Sequence, residues 1–217
     1  MNQVERFFRT LKPWQWAAIG GSAVLAFLFW SKKARAAMNF REPLTSEQLR
    51  DATLIPVPPL DQWVEVNEGG RTWLVAPTYI APVGIGEAFR VAAQHGSEVP
   101  SPELVDAIWR QADVKVEPHP RAHDGTPRTM NSDEMYRSQR DFIASQVEAA
   151  DPEGKGRLFA GMYKDVVFKN GKRGIYGWHH LNGKKIQDFY TGHASSDNPM
   201  NDWRDYSHGV RLVRLVS

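Results

Sequence analysis

The histidines of this chain are unevenly distributed along the sequence. Four of the seven, His179, His180, His193 and His208, lie between residues 179 and 208. Glycine stands within two residues of His179, His193 and His208. Because glycine lets a backbone bend and a ligand approach closely, we predict a functional site in this C-terminal part of the chain.

One chemistry open to these residues is metal-dependent hydrolysis. His179, His193 and His208, with one aspartate, would bind a metal ion such as zinc and activate a bound water. The sequence contains no H-E-x-x-H motif, so the prediction depends on the residue types alone and not on a recognised zinc spacing.

A second chemistry would use Ser207 or a water molecule as the nucleophile, with a histidine as base and Asp205 orienting it. Neighbouring residues of a strand point to opposite faces, so Ser207 and His208 should not pair with each other. By the same rule only one of His179 and His180 can face the site. The catalytic candidates are therefore His179, His193, Asp205, Ser207 and His208.

A family resemblance is carried by the run Tyr206–Leu212 and the preceding His193. This run resembles the signature of L,D-transpeptidases of the YkuD type, a histidine followed by S-H-G-C-[IV]-R-[LM]. Such enzymes act on peptidoglycan through a cysteine on a β-rich fold. Here Val210 follows Gly209 directly and the chain has no cysteine. The thiol mechanism of that family therefore cannot operate in this protein.

A longer resemblance is to a group of uncharacterised domains in bacterial secreted proteins and phage proteins. The shared pattern comprises Lys-Asp-Val-Val, Tyr-Gly-Trp-His, Asn-Gly, Gly-His and Asp-Tyr-Ser-His-Gly-Val-Arg-Leu-Val. The segment from Pro102 to Trp109 is similar as well. This resemblance implies a cell-envelope or phage context and no particular reaction. The matching segments are 164–167, 176–179, 182–183, 192–193 and 205–213.

Composition limits the classes of function. The 217 residues, 41% of them hydrophobic, suffice for one ordinary domain and an anchor. The absence of cysteine excludes disulfides, thiolate nucleophiles and iron–sulfur clusters. The formal net charge is only +2, and basic residues are interspersed with acidic ones. Nucleic-acid binding is not indicated, because it requires a concentrated basic face.

A transmembrane helix is predicted at residues 13–31. No charged residue lies between Lys12 and Lys32, a length of about 28 Å as a helix, and tryptophans stand at both ends. An uncleaved anchor is favoured over a cleaved signal peptide, because basic residues crowd the Ala-Arg-Ala segment at 34–36. Both flanks are basic, so the orientation stays open. Small residues in the helix would allow self-association.

The rest of the chain predicts an α+β fold, with helices followed by an antiparallel β-sheet. Residues 1–12 form a basic tail, 32–60 a polar, proline-rich linker and 61–217 the soluble domain. Helices are expected from Gly84, from Ser101 and from Ser132. Asn-Gly pairs at 170–171 and 182–183 predict hairpins, and 209–217 predicts the last strand.

These patterns together predict a membrane-anchored cell-envelope protein that binds or hydrolyses peptidoglycan through its histidine-rich C-terminal part. It would lie in a bacterial inner membrane with its domain in the periplasm. The chief alternative is a non-catalytic phage protein of a virion membrane that serves as a structural or DNA-delivery module. An enzyme on the cytosolic face is a third hypothesis. Partners are then the lipid bilayer and peptidoglycan.

Overall fold

The computed structural model describes residues 47–48, 55–122, 130–192 and 204–216. These residues all fall within the unit Arg41–Ser217. The predicted transmembrane helix at 13–31, most of the 32–60 linker and His193 lie outside the described residues. Within the described ranges, no helix is both long and apolar enough to cross a membrane.

After a short 3-10 helix at Leu60–Gln62, the first two strands of the described domain form a β-hairpin. Strands β1 (Val64–Glu68) and β2 (Arg71–Val75) pair antiparallel. The turn between them is made by Gly69 and Gly70, whose φ angles of 57° and 77° are conformations that glycine adopts without steric cost. The last strand of the chain, β9 (Val213–Leu215), pairs antiparallel with β2 and completes a three-stranded sheet of order β1-β2-β9.

The helices begin where the capping residues predict. Helix α1 (Ile85–Gln94) starts after Gly84, whose N–H donates to the Glu87 carboxylate at 2.9 Å. Helix α2 (Pro102–Gln111) and helix α3 (Asp133–Ala150) each start after a serine whose hydroxyl accepts a backbone N–H at 3.1 Å. These caps satisfy amide groups that have no partner within the helix.

The second sheet contains strands β5 (Lys164–Lys169), β6 (Lys172–His179), β7 (Lys185–Tyr190) and β8 (His208–Gly209). Their order in the sheet is β7-β6-β5-β8. Strands β5, β6 and β7 form an antiparallel meander whose first turn is Asn170-Gly171, with φ angles of 50° and 75°. Strand β8 runs parallel to β5. Two further short strands, β3 (Val114–Lys115) and β4 (Phe159–Ala160), pair parallel with each other.

The α+β class with antiparallel sheets is therefore confirmed, but the expected continuous strand at 209–217 is not. The expected strand is interrupted at Val210–Leu212, between β8 and β9. Arg211 in this break is fully buried and donates to the carbonyl oxygens of Ala76, at 2.7 Å, and Phe159. A buried guanidinium needs such acceptors, so the backbone leaves the extended ladder to reach them.

Helix α2 packs against both sheets. Leu104, Ala107 and Ile108 lie in one core cluster with residues of β1, β2 and β9. Val105 packs instead with Val167 and Tyr176 of the second sheet. These contacts hold the helix so that Asp106 lies beside strand β6.

Candidate functional site

The side chains of α2 and β6 meet at a partly exposed carboxylate, that of Asp106. The Tyr176 hydroxyl donates to both oxygens of Asp106, at 2.9 and 3.0 Å. His179 Nε2 lies 2.8 Å from Asp106 Oδ1. A carboxylate only accepts hydrogen bonds, so Nε2 carries the hydrogen and Nδ1 is unprotonated in the neutral ring. We call this set, completed by Trp109 and Lys185, the Asp106 cluster.

The cluster depends on an irregularity in strand β6. Tyr176 and His179 are three residues apart, and in a regular strand they would point to opposite faces. The pairing register with β7 shifts between Ile175 and Gly177. Gly177 has φ +90° and Trp178 has φ +57°. This bulge turns the backbone so that both side chains reach Asp106.

Glycine is required at position 177 by space as well as by conformation. A Cβ added there would lie 3.1 Å from Val105 Cγ1 and 3.4 to 3.5 Å from the His179 ring. Trp178 adopts its positive φ as a large, buried residue, which is an uncommon and strained conformation. Strained backbone of this kind is concentrated at functional sites in proteins.

The electrostatic environment keeps both donors in the protonation state that the geometry needs. Burial lowers the pKa of His179, an effect that Asp106 opposes and that Lys185 and Arg110 reinforce. Its imidazole is therefore neutral at pH 7. Burial, followed by the hydrogen bond to Asp106, raises the pKa of Tyr176. The hydroxyl accordingly stays protonated and donating.

Exposure differs among the members of the cluster. The Asp106 side chain is 33% exposed, whereas that of His179 is only 7% exposed. Trp109 stacks on His179 with ring centroids 5.5 Å apart, and Tyr176 meets the same imidazole edge-on at 6.2 Å. These three rings, Trp109, His179 and Tyr176, form a continuous aromatic row beside the carboxylate.

The predicted residues Asp205, Ser207 and His208 lie in a separate place, on and just before β8. The Ser207 hydroxyl and backbone N–H both donate to Asp205 Oδ1, at 2.6 and 2.8 Å. The His208 N–H donates to the Asp205 backbone oxygen at 2.9 Å. Ser207 is completely buried and His208 is 2% exposed. This geometry is an aspartate-stabilised turn that leads the chain into β8.

The structure does not bring His179 and His208 into one group. Lys164 of β5 pairs with Gly177 on one side and with His208 on the other, so β5 separates the two histidine-bearing strands. In the part of the chain that the structure describes, no three His, Asp or Glu side chains could hold a metal ion. His193 is outside that part, so the three-histidine zinc site stays a prediction.

His180 directly follows the end of β6 and has a different partner from His179. Its ring contacts the Glu117 carboxylate, whereas the preceding histidine contacts Asp106. The same Glu117 accepts the Leu181 N–H at 2.9 Å. The two adjacent histidines thus have different partners.

Sequence reasoning did not identify Asp106, Trp109 or Lys185 as site residues. The available signal was the spacing of Asp106 and Trp109, which are three residues apart and share a helix face. Nothing local indicates that this face meets Tyr176 and His179, which lie 70 and 73 residues further along the chain.

A second polar group is enclosed in the interior. Asp165 is 2% exposed, and its Oδ2 accepts the Tyr79 hydroxyl at 2.9 Å. The Arg211 guanidinium lies 4.0 Å from the centroid of the Tyr79 ring. Burial raises the pKa of Asp165 to about 7, although Arg211 and the Tyr79 hydrogen bond act in the opposite direction. Burial also raises the pKa of Tyr79.

Comparisons of the chain with protein-family models, with curated protein sequences and with solved structures find no match.

Proposed function

We propose that this chain is a membrane-anchored protein of the cell envelope whose folded domain binds peptidoglycan at the Asp106 cluster. The observation that carries the proposal is the partly exposed Asp106 carboxylate, held in place by Tyr176 and His179 beside Trp109. The anchor is the helix predicted from the sequence at 13–31.

The chemistry of the cluster suits a glycan. Sugar hydroxyls are donors, and an oriented carboxylate with part of its surface in solvent can accept from them. Because Tyr176 and His179 already hold Asp106, little side-chain freedom is lost when a ligand binds. The partly exposed Trp109 ring adds amphipathic surface at low entropic cost. Convergent polar groups beside aromatic rings are typical of binding sites.

The same geometry favours binding over hydrolysis at this site. The His179 imidazole is almost completely covered, and its Nε2 is engaged by Asp106. Ser207 is buried and donates to Asp205, whereas a nucleophile has to reach its substrate. The catalytic roles predicted for His179, His193, Asp205, Ser207 and His208 remain predictions that the same experiment can test.

The test uses the full chain in detergent micelles, mixed with purified peptidoglycan sacculi and sedimented. We expect the protein to pellet with the sacculi and the Asp106→Asn variant to bind about tenfold more weakly, because hydrogen bonds to a charged group contribute about 1.5 to 3 kcal/mol. The matched control is Asp61→Asn, which changes an exposed carboxylate outside the cluster. It should pellet like the parent protein.

Other outcomes have distinct meanings. If the parent protein releases soluble muropeptides and the His193→Ala variant does not, the hydrolytic proposal would replace the binding proposal. Loss of this release in the presence of a chelator would identify the metal mechanism. If the protein neither pellets with the sacculi nor releases muropeptides, a peptidoglycan function is contradicted. That result would favour the non-catalytic virion module.

A further inference from the structure

Two lysines lie at the ends of the aromatic row. Lys115 Nζ is 4.8 Å from the centroid of the Trp109 ring. Lys185 Nζ is 5.3 Å from the centroid of the Tyr176 ring. With His179 between the two rings, a cation lies at each end of the row and one carboxylate, Asp106, lies beside it. Cations over aromatic faces are attracted by the ring quadrupole, which holds them in position.

In the part of the chain that the structure describes, neither ammonium group forms an ion pair with a buried carboxylate, although Lys185 also interacts with the Tyr176 hydroxyl and with the charge of Asp106. Lys115 donates to the backbone oxygen of Arg110 at 3.3 Å, and no described carboxylate forms an ion pair with it. Lys185 lies 3.6 Å from Asp188 Oδ1, but the Asp188 side chain is 90% exposed. An exposed ion pair of this kind contributes little and is easily exchanged for a ligand. Both lysines therefore have donors available for an anionic group.

The positive charges near Asp106 also favour a ligand that carries anionic groups. Its two oxygens already accept from Tyr176 and His179. Arg110 and Lys185 both add positive potential at the His179 ring. A neutral sugar would use the carboxylate and the partly exposed Trp109 ring but would leave the flanking cations unused. A ligand that carries carboxylates next to its sugars would engage both sets.

We propose that Lys115 and Lys185 recognise the free carboxylates of the stem peptides, so that the site distinguishes peptide-bearing peptidoglycan from naked glycan. This inference rests on the proposed function and names the part of the polymer that the site selects. Stem peptides branch from the glycan at regular intervals and end in carboxylates, which places anions beside the sugar rings. Electrostatic complementarity of this kind determines specificity more than affinity.

The test measures dissociation constants of the full chain in micelles for soluble disaccharide-peptide muropeptides. One preparation has free carboxylates, and in the other they are converted to primary amides. We expect the free form to bind roughly fivefold more tightly than the amidated form, a preference that the double variant Lys115→Gln, Lys185→Gln should lose. Added salt should weaken only the binding of the free form. Lys172→Gln, at an exposed hairpin position, is the control and should keep the preference.

Two results would overturn the inference. Equal affinity of the parent protein for the free and amidated muropeptides would remove its basis, and so would a double variant that retains the preference while its thermal unfolding is unchanged. If Asp106→Asn still loses retention on sacculi in either case, the proposed function stands and only the stem-peptide selectivity fails.

A phosphate-bearing wall polymer is the other source of anions. Sacculi stripped of phosphate polymers by hydrofluoric acid should retain the protein as well as untreated sacculi do. Loss of retention on the stripped sacculi would assign the lysines to phosphate and contradict the stem-peptide assignment.

Discussion

Asp165 shows at the scale of one residue how the interior changes a common side chain. Its carboxylate is buried, and one oxygen, Oδ2, accepts the Tyr79 hydroxyl. In the part of the chain that the structure describes, its Oδ1 has no hydrogen-bond partner. The nearby Arg211 gives its N–H groups to two backbone carbonyls. The charged form of Asp165 is therefore poorly compensated, and burial raises its pKa.

This environment predicts a dependence of stability on pH. The folded pKa of Asp165 is about 7 and the ordinary value is 3.8, so between these values the folded state binds more protons than the unfolded state. The contribution of Asp165 to stability is present below about pH 4 and is lost as pH rises through 7. We expect its share of the unfolding free energy to fall by about 2 to 3 kcal/mol between pH 5 and pH 8.

The measurement is urea unfolding of the parent protein and of Asp165→Asn at several pH values. The variant cannot titrate at this position, so the difference between the two curves isolates the aspartate from other groups such as His179. An Asp61→Asn control should follow the parent protein. A difference between parent and Asp165→Asn that does not change from pH 5 to pH 8 would contradict the prediction.

Strand β6 is the element that assembles the Asp106 cluster. Its bulge at Gly177 and Trp178 brings Tyr176 and His179 to the same side of the sheet, where α2 presents Asp106. The bulge in turn requires a residue without Cβ at 177. A single glycine therefore links the local conformation of a strand to the geometry of a binding site.

Replacement of Gly177 by alanine should damage both stability and binding. The positive φ alone disfavours a side chain, and the new Cβ would press on Val105 and on the His179 ring. We expect a loss of about 1 to 3 kcal/mol in unfolding free energy and weaker retention on sacculi. Thermal unfolding and sedimentation measure the two effects.

The matched control for this element is Gly171→Ala in the turn between β5 and β6. Gly171 also has a positive φ, of 75°, but a Cβ added there meets nothing within 4 Å. It should lose about 1 kcal/mol of stability for conformational reasons and keep its binding. Equal binding by both alanine variants would show that the bulge does not position the site.

At the scale of the whole domain, strand β9 pairs with elements that lie far from it in the sequence. Strand β9 pairs with β2 of the N-terminal hairpin, and Val213 also forms a bridge to Glu98. Val213 is fully buried among residues of α2 and the first sheet. Arg204 contacts the Glu87 carboxylate of α1 at 3.2 Å. The end of the chain thus joins elements that are far apart in sequence.

Val213→Ala should consequently destabilise the whole domain. Removal of two buried methyl groups at this position should cost about 1 to 3 kcal/mol of unfolding free energy, measured by urea denaturation. Leu215→Ala on the same strand is the control, because that side chain is 45% exposed and should cost less than about 1 kcal/mol. A larger effect at Leu215 than at Val213 would contradict the role assigned to β9.

Local signals account for much of this fold in advance. Ser101, Ser132 and the Asn170-Gly171 pair act on the backbone within four residues, so their helix starts and their turn can be predicted without knowledge of the rest of the chain. The α+β class follows from those elements. The membrane anchor at 13–31 is also a local inference, from an uncharged apolar run, and it remains a prediction.

Only the tertiary structure could decide which side chains meet. Asp106 reaches His179 because α2 packs on both sheets and because β6 bulges, and neither the packing nor the register is written in a short stretch of sequence. The histidines that adjacent motifs suggested as one site, His179 and His208, lie on strands separated by β5. Composition and spacing specify which chemical groups are available, whereas the packing of distant elements decides where these groups converge.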